Sequence, residues 1–225
     1  MDLQLLEIES LQHAVDVLAQ GGWPMAALAI CSLMGATVII ERAVALRRRA
    51  VIDPKLVATI EVYNGDTSTQ RLLDLCNRSP TSLAHVVKEV LDARHLDVPH
   101  LREVMNAAGR VEVGRLKRGL TLLEIIAGVS PLIGLLGTVL GMFTVFNAIT
   151  AHGIGDAQVL SGGISKALIT TIAGLCIGIP ALAFHSWFSK RVEDLASEIQ
   201  GHATRLILKL GGTDAAGVVG EQEES

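Results

Sequence analysis

Residues 125–155 read IIAGVSPLIGLLGTVLGMFTVFNAITAHGIG and contain no Asp, Glu, Lys or Arg. A helix needs roughly 20 mostly apolar residues to cross the hydrocarbon core of a bilayer, so this stretch is long enough to span a membrane. Two further stretches, 21–40 and 167–189, also lack all four charged residue types. Because half of the 225 residues are hydrophobic and only 19% are charged, the sequence predicts a membrane protein with three transmembrane helices.

The basic residues indicate the orientation of these spans. None of the 19 Lys and Arg residues precedes residue 42, and fourteen lie within 42–118. Lys166 stands alone between the second and third spans, and the remaining four follow the third. Cytoplasmic segments carry the excess of Lys and Arg. We therefore expect the N-terminus outside the membrane and the C-terminus in the cytoplasm.

The segment between the first two spans has helical punctuation. Asp53-Pro54 and Ser79-Pro80 are typical helix starts, and Asp97-Val98-Pro99 interrupts the second helix. From His100 no proline separates the chain from the second span, and the first span is expected to continue to Ala50. The predicted fold is an all-α membrane protein in which two of the three transmembrane helices extend into a cytoplasmic helical stalk.

The predicted layout has eight segments. Residues 1–20 form either an amphipathic periplasmic helix or a polar lead-in to the first span. After them come the first span (21–41), a cytoplasmic helical domain (42–124), the second span (125–150), a periplasmic loop (151–165), the third span (166–189), a cytoplasmic C-terminal helix (190–210) and a disordered tail (211–225).

Small and hydroxylated residues distinguish the second and third spans. Their glycines recur three or four residues apart, a spacing that lets helix backbones approach closely; they are Gly134, Gly137 and Gly141 in the second span, and Gly174 and Gly178 in the third. Pro131 and Pro180 each leave one helical carbonyl without its usual donor. The hydroxyls of Thr138, Thr170 and Thr171 either bond back to their own helices or line a hydrated path.

The spans lack the acidic residue that a proton relay usually requires. Residues 21–40 and 125–150 contain no ionisable carboxylate or base, and residues 167–189 contain only His185, near the cytoplasmic end of the third span. If the protein conducts ions, the titrating carboxylate must therefore come from another chain.

Two motifs resemble those of the MotA/TolQ/ExbB proton-channel family. The second span contains Ser130-Pro131-Leu-Ile-Gly134-Leu-Leu-Gly137-Thr138-Val-Leu-Gly141. The third begins Gly163-Ile-Ser-Lys166-Ala-Leu-Ile-Thr170-Thr171-Ile-Ala-Gly174 and continues to Gly178-Ile-Pro180. The resemblance covers roughly residues 120–196, and three spans with a modest cytoplasmic domain resemble the ExbB and TolQ branch, with ExbB favoured.

The resemblance implies a function in the bacterial inner membrane. Such proteins form a homopentamer around the single-span helices of an ExbD- or TolR-like partner, whose aspartate binds the proton. Proton flow then drives a TonB-like protein, which energises transport through receptors in the outer membrane. Thr138 and Thr171 match the pore-facing threonines of the family, with Thr170 beside the latter.

One residue departs from the family pattern. Many relatives have glutamate where Lys166 stands, so this lysine is either a contact at the pore entrance or with the partner, or a snorkelling anchor among membrane lipids. A TolQ-like role in cell-envelope integrity and a non-conducting scaffold of the same fold remain alternative functions.

Other function classes have little support in the sequence. No nucleophile, base and orienting group converge, so no enzymatic activity is expected. His85, His95 and His100 share no helical face, and the three cysteines, Cys31, Cys76 and Cys176, have no metal-binding spacing. The basic excess is too small for a nucleic-acid surface. We predict no cofactor and no metal.

Overall fold

The computed structural model describes residues 22–64, 66–152 and 157–220, and these ranges contain helices and no strand. The helices are α1 (Trp23–Ala45), α2 (Arg48–Val51), α3 (Pro54–Glu61), α4 (Asp66–Arg78), α5 (Ser82–Asp92), α6 (Val98–Lys117), α7 (Leu120–His152) and α8 (Ala157–Gly220). The all-α prediction is confirmed. The segment predicted at 1–20 lies outside the described residues.

Among the residues that the structure describes, three helices are long and apolar enough to cross a membrane. The candidate spans are Trp23–Ala45, Leu120–Thr150 and Ser161–Gly211. Many of their large apolar side chains point outward; Leu33 is 72% exposed and Ile179 is 64% exposed. Contiguous exposed apolar surface of this kind is rare on soluble proteins and is compatible with lipid. The prediction of a three-span membrane protein is confirmed.

The chain divides into two compact units. One consists of Met1–Ile40 with Gly119–Ser186, and we call it the span unit. The other consists of Glu41–Arg118 with Trp187–Ser225, and we call it the charged unit. Helix α8 contributes residues to both units.

Helix starts in the charged unit follow local capping chemistry. The Asp53 side chain accepts a hydrogen bond of 2.9 Å from the backbone N–H of Lys55, with Pro54 at the first helical position, so this predicted start is confirmed. The start predicted at Ser79-Pro80 is displaced by two residues. Thr81 is the N-cap of α5, because its hydroxyl accepts a bond of 3.4 Å from the Ala84 N–H.

The expectation of one unbroken helix from His100 into the second span is wrong. Helix α6 ends at Lys117, and α7 begins at Leu120. Between them Gly119 has a φ of 87°, in the left-handed region that glycine enters without a steric penalty. A glycine therefore ends the helix where the sequence contains no proline.

The first span also stops earlier than Ala50. Helix α1 ends at Ala45, and Arg47 has an extended backbone before the short helix α2. This turn leaves Leu46 only 4% exposed, while Arg47 remains at the surface. Burial of the leucine accompanies the break in the helix.

The third span is the one that continues as a long helix. Helix α8 runs without interruption for 64 residues and begins at Ala157, inside the segment for which a loop is expected. Its backbone stays helical to Gly220, ten residues into the segment for which disorder is expected. Extending an existing helix adds one hydrogen bond per residue without a new nucleation cost, which explains the greater length.

The charged unit has an aliphatic core. Leu56, Leu72, Leu83, Leu195 and Leu206 are all 2% exposed or less. Consecutive helices from α3 to α6 pack on one another. Hydrophobic burial of this kind is the usual driving force of folding in water.

Ion pairs and caps join the C-terminal part of α8 to its neighbours in this unit. The Arg48 Nε donates to the two carboxylate oxygens of Glu198 at 2.9 and 3.1 Å. Lys209 Nζ donates to the carbonyl oxygen of Ile60 at 3.1 Å, near the end of α3. The lysine adds a second donor to a carbonyl that already accepts from the backbone N–H of Tyr63 at 3.3 Å.

Candidate functional site

Glycines bring α7 and α8 into backbone contact within the span unit. We call Gly134, Gly137, Gly141, Gly174 and Gly178 the glycine seam. A Cβ on Gly174 would lie 2.5 Å from the Ser130 carbonyl oxygen, and one on Gly134 would lie 2.8 Å from the Thr170 carbonyl oxygen. Neither position has room for a side chain. The small residues predicted for helix packing therefore occupy the α7–α8 interface.

The prolines have different surroundings. A Cβ on Gly178 would lie 2.7 Å from Pro131 Cγ and 3.1 Å from the Ala127 carbonyl oxygen. Pro131 has no N–H to bond that carbonyl, which is four residues earlier. Gly178 therefore leaves space beside a carbonyl that has lost its helical donor. Pro180 is exposed, and α8 continues through it.

The predicted threonines come together at the glycine seam. Thr138 Oγ1 is within hydrogen-bond distance of Thr171 Oγ1 and lies 3.1 Å from the Ala167 carbonyl oxygen. Thr171 Oγ1 lies 3.2 Å from the carbonyl oxygen of Gly134. These contacts join α7 to α8 through side chains as well as through backbone.

The two hydroxyls can share their protons in more than one way. Each hydroxyl has a single O–H donor and two acceptor lone pairs. Either Thr138 donates to Ala167 while Thr171 donates to Thr138, or Thr171 donates to Gly134 while Thr138 donates to Thr171. Both side chains are half-buried. The pair is therefore a polar site whose hydrogen bonds can reverse direction without a change of rotamer.

Thr170 occupies a different environment from its neighbour. It is only 1% exposed, and its hydroxyl donates to the Ala167 carbonyl oxygen at 2.8 Å. Its Cβ lies 2.7 Å from the position that a Cβ on Gly137 would take. The structure thus brings Thr170 next to the threonine pair as a side chain packed between α7 and α8.

Lys166 lies one helical turn before Thr170. Its side chain is exposed on α8. The adjacent residue Ala167 packs against Gly141, where an added Cβ would lie 2.8 Å from the Ala167 Cβ. The structure therefore places Lys166 beside the end of the glycine seam and outside the threonine cluster.

The structure brings together two ionisable residues that the sequence analysis did not connect. His185 Nε2 lies 4.0 Å from an oxygen of Glu124, within the span unit. Glu124 stands just before the charge-free stretch of the second span, so it was counted with the preceding domain. Heptad spacing is the signal that could have found it, since Glu124, Pro131 and Thr138 are seven residues apart, as are Thr171, Gly178 and His185.

The cysteines offer no shared site. Cys31 is half-buried, Cys176 is exposed, and Cys76 is buried in the charged unit. Burial raises the pKa of the Cys76 thiol to about 12, so this thiol is protonated at neutral pH. No group of three or more His, Cys, Asp or Glu residues suited to a metal ion occurs in the described part of the chain.

Comparison with known proteins agrees with this geometry. Residues 78–201, more than half of the chain, match the MotA/TolQ/ExbB proton channel family. The chain is 31% identical to the biopolymer transport protein exbB1 of Vibrio cholerae over 182 residues, which are 78% of each protein.

Two further relatives have similar names. The chain is 30% identical to the putative biopolymer transport protein ExbB-like 3 of Synechocystis sp., covering 70% of this chain and 76% of that protein. It is 25% identical to the putative biopolymer transport protein ExbB homolog of Methanothermobacter thermautotrophicus, covering 83% of this chain and 66% of that protein. With the family match over both seam helices, these similarities establish that the chain belongs to the MotA/TolQ/ExbB proton channel family.

Proposed function

We propose that this protein is an ExbB-like subunit of a motor driven by the proton-motive force. In this proposal it lies in the bacterial inner membrane with its N-terminus in the periplasm and its C-terminus in the cytoplasm. Five copies surround the single-span helices of an ExbD- or TolR-like partner. The assembly energises a TonB-like protein for transport across the outer membrane.

The observation that carries the proposal is the Thr138–Thr171 hydroxyl pair, which lies at a height along α7 and α8 where neither helix has a carboxylate. The spans supply hydrogen-bonding groups along α7 and α8, but the ionisable residues in 119–150 and 161–186 are confined to Glu124, Lys166 and His185, apart from a cysteine. A proton relay in a membrane needs a group that titrates. An aspartate on a partner helix would complete the relay at the threonine level.

The proposed roles of the site residues follow from their surroundings. Thr138 and Thr171 face the proton path and orient water or the partner's carboxylate through their reversible hydrogen bonds. Thr170 holds the two helices at the distance that the pair requires. Lys166 contacts the partner or guards the pore entrance, and enzymatic activity is not expected.

Replacement of Thr138 by valine tests the channel function. Valine has nearly the same shape as threonine but no hydroxyl, so the complex with the partner should assemble with the path interrupted. Proton flux into vesicles containing the purified complex should fall by roughly tenfold or more, the usual scale for loss of a positioned proton-transfer group. Flux is measured with an internal pH dye under an imposed membrane potential.

Thr37→Val is the matched control. Thr37 lies on α1, and its hydroxyl donates to its own helix at the Leu33 carbonyl oxygen, 2.8 Å away. This variant should conduct like the unaltered complex. Equal flux through the Thr138→Val complex would contradict the pore-facing role, and absence of flux through the unaltered complex would favour the non-conducting scaffold.

A TolQ-like role is the second candidate function, because the same fold and seam suit both branches. Cells that lack the gene distinguish them. Loss of energy-dependent uptake across the outer membrane supports the ExbB-like role, whereas detergent sensitivity with normal uptake supports the TolQ-like role.

A further inference from the structure

Helices α7 and α8 meet at three levels of the span unit that repeat every seven residues. At the first, Thr138 contacts Thr171 through their hydroxyls. At the second, Pro131 packs on Gly178. At the third, Glu124 lies 4.0 Å from His185. Seven residues correspond to a rise of about 10 Å along a helix, so the third level lies about 20 Å from the first.

Ionisable groups are confined to the third level at this end of the span unit. Residues 22–40 contain no Asp, Glu, Lys, Arg or His. In 119–150 Glu124 is the sole residue of these five types, and 161–186 contains Lys166 and His185. Lys166 precedes Thr170 on α8, whereas His185 follows it by fifteen residues. Apart from Cys176, Glu124 and His185 are therefore the ionisable residues of the span unit on the far side of the threonine pair from Lys166.

The two side chains differ in their access to solvent. His185 is 22% exposed, whereas the Glu124 side chain is 66% exposed. The separation of 4.0 Å is longer than a direct hydrogen bond, so the geometry leaves room for a bridging water. A sheltered imidazole beside an open carboxylate suits proton transfer outward.

We propose that Glu124 and His185 form the proton-release site at the cytoplasmic end of the path. This inference rests on the proposed function, including its orientation, and adds an exit to it. Histidine suits the role because its imidazole can accept a proton on one nitrogen and donate a proton from the other.

The proton balance of the step is complete. A hydronium ion reaching the third level protonates the free nitrogen of neutral His185, leaving water and an imidazolium. The imidazolium releases the proton on Nε2 to Glu124 through one bridging water, and Glu124 passes it to cytoplasmic water. Exchange of the imidazole tautomers then restores both side chains to their starting states.

The test compares two histidines of α8. His185→Gln should lower proton flux through the purified complex with its single-span partner by about tenfold or more. His202→Gln is the control, because His202 Nε2 lies 3.8 Å from Glu198, four residues earlier on the same helix, within the charged unit. Its flux should match that of the unaltered complex. Glu124→Gln provides a second test, at a side chain that is 66% exposed and whose replacement therefore leaves the packing of the core unchanged.

Chemical rescue separates proton transfer from a structural role. In His185→Ala, added imidazole should restore a substantial part of the flux, with empty vesicles measuring leakage due to imidazole itself. Restoration is expected only if the missing group carried protons. Loss of flux without restoration, together with normal flux in Glu124→Gln, would overturn the inference.

The outcomes also distinguish this inference from the proposed function. No flux through the unaltered complex contradicts the function itself. If the unaltered complex conducts, Thr138→Val blocks flux, and His185→Gln and Glu124→Gln both conduct normally, the channel stands and the proposed release site is wrong.

Discussion

The span unit and the charged unit are both built from helices, yet they are held together in different ways. In the span unit α7 and α8 approach through glycines and exchange hydrogen bonds between threonines and carbonyls. In the charged unit Leu83, Val87 and Leu206 are fully buried. Gly109 and Gly114 have no atom within 4 Å of an added Cβ. The seam glycines therefore permit backbone contact between helices, whereas Gly109 and Gly114 of the charged unit lie in open space.

The solvent explains this difference. Lipid tails are as apolar as leucine, so helices in a membrane gain little from burying aliphatic side chains against each other. Close backbone packing and interhelical hydrogen bonds must supply the specificity instead. In water, removal of apolar surface is the main driving force. We therefore predict that Leu→Ala destabilises the charged unit more than the span unit, and that Gly→Ala destabilises the span unit more than the charged unit.

The largest effect should come from the same leucine substitution made in each unit. Leu83→Ala removes a side chain that is 0% exposed in the charged unit, and it should destabilise the protein by about 2–5 kcal/mol. Leu135→Ala, on a span residue that is 55% exposed, should change stability little. More than half of this side chain faces lipid, which is as apolar as the leucine itself, so its removal costs few contacts within the protein. Thermal unfolding of the full chain in detergent compares them, and equal losses would remove the distinction.

Glycine substitutions should show the reverse ranking. Gly174→Ala places a Cβ 2.5 Å from the Ser130 carbonyl oxygen, so α7 and α8 must separate. Overpacking of this kind costs about 1–3 kcal/mol, and the threonine contacts should weaken with it. Gly109→Ala in the charged unit is the comparison, because an added Cβ there meets nothing within 4 Å. The two variants are compared by thermal unfolding and by proton flux, and an unchanged Gly174→Ala would show that the seam is not tightly packed.

The spans and the seam could be predicted because they depend on local composition. Three charge-free stretches identify the membrane helices, and glycines three or four residues apart mark a helix interface. The partners across the interface depend on the relative rotation of α7 and α8. Composition and spacing leave that rotation undetermined, so the bonding of Thr171 to the Gly134 carbonyl required the structure.

The errors also have physical causes. The sequence around Gly119 contains no proline and therefore predicts no helix end, whereas the φ of 87° at this glycine ends the helix. Thr81 displaced Ser79 because either hydroxyl can cap a helix start, and tertiary packing decides between them. Glu124 was missed because it lies one residue before the charge-free stretch.

The smallest expected effect concerns the ion pair of the charged unit. Glu198→Gln removes the carboxylate that accepts both hydrogen bonds from Arg48. The Arg48 guanidinium lowers the pKa of the Glu198 carboxyl, so this carboxyl binds protons less readily in the folded protein than in the unfolded chain. Its contribution to stability is therefore present above the unfolded glutamate pKa of about 4.3 and is lost as pH falls through the lower folded value.

This pH dependence distinguishes the pair from apolar packing in the same unit. The melting temperature of Glu198→Gln should be slightly below that of the unaltered protein at pH 7, and the gap should close in acid. High salt should also narrow the gap, because exposed ion pairs are screened. Leu83→Ala should retain its deficit across the same pH and salt range, since burial of a leucine involves no titrating group. A gap for Glu198→Gln that persists in acid and at high salt would contradict the electrostatic assignment, because glutamine keeps the packing of glutamate and loses its charge.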